Sequence, residues 1–224
     1  MLRKITYALA GLAGLLIVFN LYDILFKLGD EVNQGAVYRI MFFHIPAGLM
    51  DMAMYFVALI ASVGFLITKK YTFDSLAVAA VEVGTMFCVL NLITGSIWGR
   101  EAWGIWWAWD GRMTSQLICF LLYAGYLILR PAIEDPTQRA TFAAVLAIFS
   151  FADVPIVYFS IQWWRTQHPS PVLTTGGLAP GMALPLTGMA VAYALLGTAL
   201  LMVRLQQENM GREIDSLRRQ AHAF

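Results

Sequence analysis

Long apolar runs separated by short polar breaks dominate this chain. Six stand out, over about residues 5–26, 42–68, 76–97, 113–129, 141–161 and 182–203. Each is close to the roughly 17–25 residues that carry an α-helix across a bilayer. Hydrocarbon offers backbone amides no partner but one another, so the pattern predicts helices. The expected fold is all-α, a single polytopic membrane domain over 1–224 with six transmembrane helices. An outer loop over about 98–115 joins the third and fourth helices, and a polar tail over 204–224 is helical at the membrane surface. The first run follows Met1-Leu2-Arg3-Lys4 in the manner of a signal peptide, but its length and its lack of a small-residue cleavage site mark a retained helix.

Composition agrees with this reading. Of 224 residues, 59% are hydrophobic and 13% charged, and the mean hydropathy is +0.67, too apolar for a soluble chain of this size. The net charge of +1 gives no footprint for nucleic acid. Cys88 and Cys119 both lie inside apolar runs and form no CxxC or CxxCH pattern, which marks packing residues. Basic residues set the orientation. Arg3, Lys4, Lys69, Lys70, Arg130, Arg139, Arg204, Arg212, Arg218 and Arg219 fall on one side, and Lys27, Arg39, Arg100, Arg112 and Arg165 on the other. The positive-inside trend puts both termini in the cytoplasm, N-in and C-in.

This topology places all seven tryptophans outside: Trp98, Trp103, Trp106, Trp107 and Trp109 in the second outer loop, Trp163 and Trp164 in the third. An interfacial aromatic belt would populate both membrane faces. A one-sided cluster instead suits a large, flat, apolar ligand, with ring faces for stacking and indole N–H groups for hydrogen bonds. Gly99, Gly104 and Gly111 interleave with the rings and allow sharp turns or close approach. Arg100 and Arg112 bracket the cluster; an anionic ligand explains them, as does snorkelling to lipid phosphates.

Two of the three histidines fall on the same face. His44 sits at the outer mouth of the second helix in FFHIPAG, and His168 in the third outer loop in WWRTQHPSP, whereas His222 is near the C-terminus. A neutral imidazole is a usual axial ligand for haem iron. Zinc is the competing metal; it takes three or four ligands, and the outer loops add only Asp30, Glu31, Glu101 and Asp110. Asp51, Glu82, Asn91 and Asp153 lie within the spans, where ionisable groups are costly. They either glue helices together or line a route for a ligand.

Three segments carry a family resemblance. Gln34–Gly48 (QGAVYRIMFFHIPAG), Trp98–Ser115 (WGREAWGIWWAWDGRMTS) and Val157–His168 (VYFSIQWWRTQH) resemble the haem-handling, WWD-domain family of cytochrome c biogenesis proteins, its CcmC branch in particular. The likeness covers nearly the whole chain. Arg100-Glu101-Ala102 and Gly111 depart from the family's usual proline and alanine and touch no proposed ligand. The resemblance implies a non-enzymatic protein that binds haem b transiently at the periplasmic face of the bacterial inner membrane. Its implied axial ligands are His44 and His168, and its implied platform is Trp98, Gly99, Trp103, Gly104, Trp106, Trp107, Trp109, Asp110 and Arg112. Implied partners are the haem chaperone CcmE, the ABC transporter subunits CcmA and CcmB, the small membrane protein CcmD, and membrane lipid. The larger relatives CcmF and CcsA use further histidines within the membrane, and no histidine here lies deep in a span.

Overall fold

The computed structural model describes residues 2–169 and 178–221; His222 and the end of the tail lie outside them. Helices α1 (Leu2–Tyr22), α2 (Met41–Thr68), α3 (Tyr71–Trp103), α4 (Gly111–Leu129), α5 (Pro136–Phe151), α6 (Asp153–Trp163) and α7 (Ala183–Ala221) follow in chain order. A π-turn (Asp23–Lys27) extends α1, and a 3-10 turn (Ala36–Ile40) leads into α2. Together they make the six spans expected from hydropathy, each long and apolar enough to cross a membrane: Leu2–Lys27, Ala36–Thr68, Tyr71–Trp103, Gly111–Leu129, Pro136–Trp163 and Ala183–Arg218.

The fifth span is two helices because of Pro155. Proline has no N–H for the carbonyl four residues back and its ring crowds that carbonyl, so the helix breaks at Ala152 and restarts at Asp153. Lys69, in the left-handed conformation at φ 57°, ends α2, and α3 begins two residues later. Asp135 caps α5, accepting from Gln138 N at 2.7 Å, with Pro136 in the first turn. The polar tail is helical over its described residues. It continues α7 without interruption.

The segment expected as loop over 98–115 is only partly loop. Helix α3 runs on through Trp103 and stops at Gly104, whose φ of +79° suits glycine, and α4 begins at Gly111. Only residues 104–110 are non-helical. Two of the tryptophans therefore stand on a rigid helix.

The bundle is centred on α2 and α3, with α1 packed along α7. Tyr55 of α2 and Tyr123 of α4 stack at 3.7 Å within 3° of parallel. Gly188 of α7 receives Asn20 of α1 so closely that a Cβ there would overlap the amide. At the end of the bundle holding both termini, Arg130 forks onto Asp74 at 2.7 and 2.9 Å, Arg212 adds a second cation to Asp74, and Arg204 pairs with Glu82 at 2.5 Å. Glu82 is thus neutralised by the last helix, while Asp51 accepts from Gln116 Nε2 at 2.8 Å in the bundle interior.

Candidate functional site

The opposite end of the bundle gathers the aromatic and histidine side chains. Arg39 organises its first loop, donating to the carbonyls of Ile24 and Leu28 at 2.9 and 2.6 Å and to Asp30 at 2.6 Å. The loop in turn meets α3, where Trp98 Nε1 donates to Gln34 Oε1 at 2.7 Å.

His44 lies in the opening turns of α2, 8% exposed. Its Nδ1 is 3.1 Å from the Asn91 carbonyl and 3.1 Å from Thr94 Oγ1. A carbonyl only accepts, so Nδ1 carries the proton and Nε2 keeps its lone pair. Asn91 also donates its side-chain amide to the His44 carbonyl at 3.0 Å. Gly95, one turn on, makes room: a Cβ there would sit 2.9 Å from His44 Cε1. Asn91, Gly95 and Trp98 follow helical spacing on one face of α3, and Trp98 meets His44 edge-on at 5.8 Å.

His168 is placed by a different device. Asp110 caps α4, accepting from Met113 N at 2.8 Å through Oδ1. Its other oxygen accepts from the Thr166 hydroxyl and from Gln167 N, and Thr166 Oγ1 accepts from His168 N at 3.0 Å. One carboxylate therefore ties the tryptophan loop to the segment bearing the histidine. His168 Nδ1 faces the Pro169 carbonyl at 2.8 Å, which again leaves Nε2 free. Burial, and then the charge of Arg112, pull the His168 pKa down to about 4, so the ring is neutral at neutral pH. Truncation of Asp110 to alanine should cost roughly 1 kcal/mol of capping energy and loosen this segment. The expected sign is several-fold faster trypsin cleavage after the exposed Arg165 than in the wild type; an unchanged rate would show that Asp110 does not hold the segment.

The two imidazoles end 6.2 Å apart, centroid to centroid, although they are far apart in sequence. They share a cleft with Asn91, Trp98, Trp103, Trp107, Asp110, Arg112 and Gln116. Of the residues expected at the site, His44, His168, Trp98, Trp103, Trp107, Asp110 and Arg112 are brought together there. The others are not at the cleft. Trp106 and Trp109 point away, 59% and 72% exposed. Gly104 turns the chain, and Gly99 lets the loop fold back, since a Cβ there would lie 3.3 Å from the Ile105 carbonyl. Asn91 was legible as a buried amide but not as a histidine support; Thr94, Gly95 and Gln116 carried no signal beyond helical spacing, and Thr166, outside the helices, carried none.

The family model described as Heme exporter protein C matches residues 1–220. The chain is 41% identical over 191 residues to the Heme exporter protein C of Bradyrhizobium diazoefficiens, covering 84% of this chain and 73% of that one. It is 34% identical over 178 residues to the protein of the same name in Escherichia coli, covering 79% and 72%. The corresponding protein of Paracoccus denitrificans is 34% identical over 199 residues, covering 86% and 81%. A histidine pair steadied by backbone carbonyls, set among tryptophans at one end of a six-span bundle, thus occurs in a chain that belongs to the Heme exporter protein C family.

Proposed function

We propose that this membrane protein holds haem between His44 and His168 and presents it to the haem chaperone CcmE for assembly of c-type cytochromes. Membership of the Heme exporter protein C family establishes the coarser role, haem handling for cytochrome c maturation by a transport protein and not an enzyme. The finer assignment rests on one observation above all. Two imidazoles lie 6.2 Å apart with each Nδ1 beside a backbone carbonyl, leaving two Nε2 lone pairs. An iron bound by two imidazoles through bonds of about 2 Å holds the ring centroids about 6 Å apart. The donor set therefore fits haem iron, and zinc loses ground because no group of three or more metal-ligating side chains occurs among the described residues.

Trp98, Trp103 and Trp107 supply apolar ring surface beside the histidines, and haem b, as cargo, supplies the iron. The cleft is partly open, and the 104–110 loop and the His168 segment meet along a seam beside it. Gly104 and the Asp110 bracket stand at that seam. The charge asymmetry favours both termini in the cytoplasm, which supports a cleft on the periplasmic side of a bacterial inner membrane. Complex formation with CcmA, CcmB and CcmD belongs to the same reading. Trp106 and Trp109, outside the cleft, are surfaces for lipid or for CcmE.

The test is the visible spectrum of protein purified from haem-replete cells. A low-spin, bis-imidazole spectrum is expected, and Trp107→Ala should lower haem content much more than Trp106→Ala, with both variants inserted in the membrane. Protein that carries no haem and takes up none on addition would refute the assignment.

A further inference from the structure

Beyond its apolar span, helix α7 carries a second pattern that the cleft does not use. It runs unbroken to Ala221, so the stretch from Arg204 onward is about 26 Å long at about 1.5 Å per residue. Two of its faces are occupied. Met202 meets the Thr6 hydroxyl of α1, and Arg204 and Arg212 reach Glu82, Asp74 and Ser75 of α3. On the remaining face Val203, Met210, Ile214 and Leu217 are all exposed, and Ala221 continues the row. Their spacings are seven, four, three and four residues, the alternation of a heptad seam. Val203, Met210 and Leu217 take the d positions, and Gln207, Ile214 and Ala221 the a positions. A polar helix that leaves one apolar stripe uncovered has a surface made for another helix.

We infer that this stripe is the seam of a parallel, two-stranded coiled coil with the tail of a second copy of the chain. Three features select that occupant. The tails of two copies leave the same side of the membrane, so they meet side by side and run in the same direction. A β-branched residue at a followed by leucine at d favours two strands, and Ile214 and Leu217 are such a pair. Glu213 and Arg218 then flank the seam at g and e. In a parallel pair in register, g of one helix faces e of the other five residues on. Glu213 of each copy therefore meets Arg218 of the other, and two-fold symmetry makes the pair twice. Within one chain Arg218 has Asp215 at 3.7 Å, both well exposed, a contact given up at little cost. Gln207, the polar a residue, meets its own counterpart and fixes the register. The helix is already formed in the single chain, which removes much of the ordering cost that makes so short a coil marginal. Pairing at this end leaves both histidine clefts, at the opposite end, uncovered.

The test is disulfide trapping of the full-length protein in native membranes. Leu217→Cys, at d, should link to the same position of a second chain on mild oxidation. Ser216→Cys, one residue round the helix, should not. The native Cys88 and Cys119 are buried, so the unsubstituted chain serves as the blank. In the Leu217→Cys chain, Glu213→Arg should reduce the linked product several-fold, and adding Arg218→Glu should restore it. Ile214→Asp should abolish the product, with the amount of protein in the membrane unchanged. No product from Leu217→Cys overturns the proposal and is the result expected if lipid covers the stripe. Equal products from Leu217→Cys and Ser216→Cys overturn it as well. So does linkage that is indifferent to Glu213→Arg or to Ile214→Asp, or that Arg218→Glu fails to restore, because the contact is then not this seam. Leu217→Cys that links to a different protein and not to itself overturns the second copy, as expected if a helix of another subunit takes the face.

Discussion

Replacement of His44 by alanine is expected to abolish the low-spin haem spectrum and to restore it in part when free imidazole is added. His44 is nearly buried, its Nδ1 faces the Asn91 carbonyl, and Gly95 leaves no bulk against its ring. Truncation therefore opens a hole shaped like the missing ring, backed by the same carbonyl. Losing only an outer hydrogen-bond partner of a metal-bound histidine costs about 10–100-fold in affinity, and losing the ligand itself should cost more. Asn91→Leu, which removes the side-chain amide bonded to the His44 carbonyl but keeps the backbone carbonyl at Nδ1, should cost less than that. His168→Ala should give the same spectral loss with better rescue, because its segment is more open to solvent. Failure of imidazole to restore any low-spin signal in either variant, with the fold intact, would argue against iron ligation by that residue.

The second large effect lies at the far end of the molecule. Asp74 is almost wholly buried between Arg130 and Arg212, and its removal strands two cations in a low-dielectric setting. Breaking a buried pair by deleting one partner typically costs about 3–5 kcal/mol. Asp74→Ala should therefore lower the thermal midpoint in detergent by several degrees or more. Asp74→Ala combined with Arg130→Leu should recover part of the loss, since one orphan charge goes with it. Haem affinity at low temperature should stay near wild type in both. A midpoint unchanged in Asp74→Ala would mean that the arginines find water or lipid phosphate at no cost.

The spans were legible because hydrocarbon imposes one answer on a long apolar run. Their ends were not. Over Trp98–Trp103 the hydropathy falls and suggests a loop, yet helical hydrogen bonds close whatever the polarity of the side chains, and α3 stops only where Gly104 adopts a positive φ. The helical state of the tail was legible, but its anchoring to α3 through Arg204 and Arg212 was not. At the site, orientation placed His44 and His168 on one side of the membrane, but their approach depends on Asp110 reaching the Thr166 segment. Trp106 and Trp107 are neighbours in sequence and differ only in which way the loop turns them. Spacing carries no information about that choice.

Helix α3 has a mechanical consequence. One unbroken rod carries Asp74, Ser75 and Glu82 at one end and Asn91, Thr94, Gly95, Trp98 and Trp103 at the other. At about 1.5 Å per residue, Asp74 and Trp103 are separated by about 43 Å of stiff helix, so a tilt of about 5° pivoting at the ion pairs swings the tryptophan end by about 4 Å. That sweep is comparable to the thickness of an aromatic ring. The rod is a lever with its short grip among arginines and its long arm at the histidines, and force applied to the helix ends on the side of the termini would be felt as a change of width between the two imidazoles.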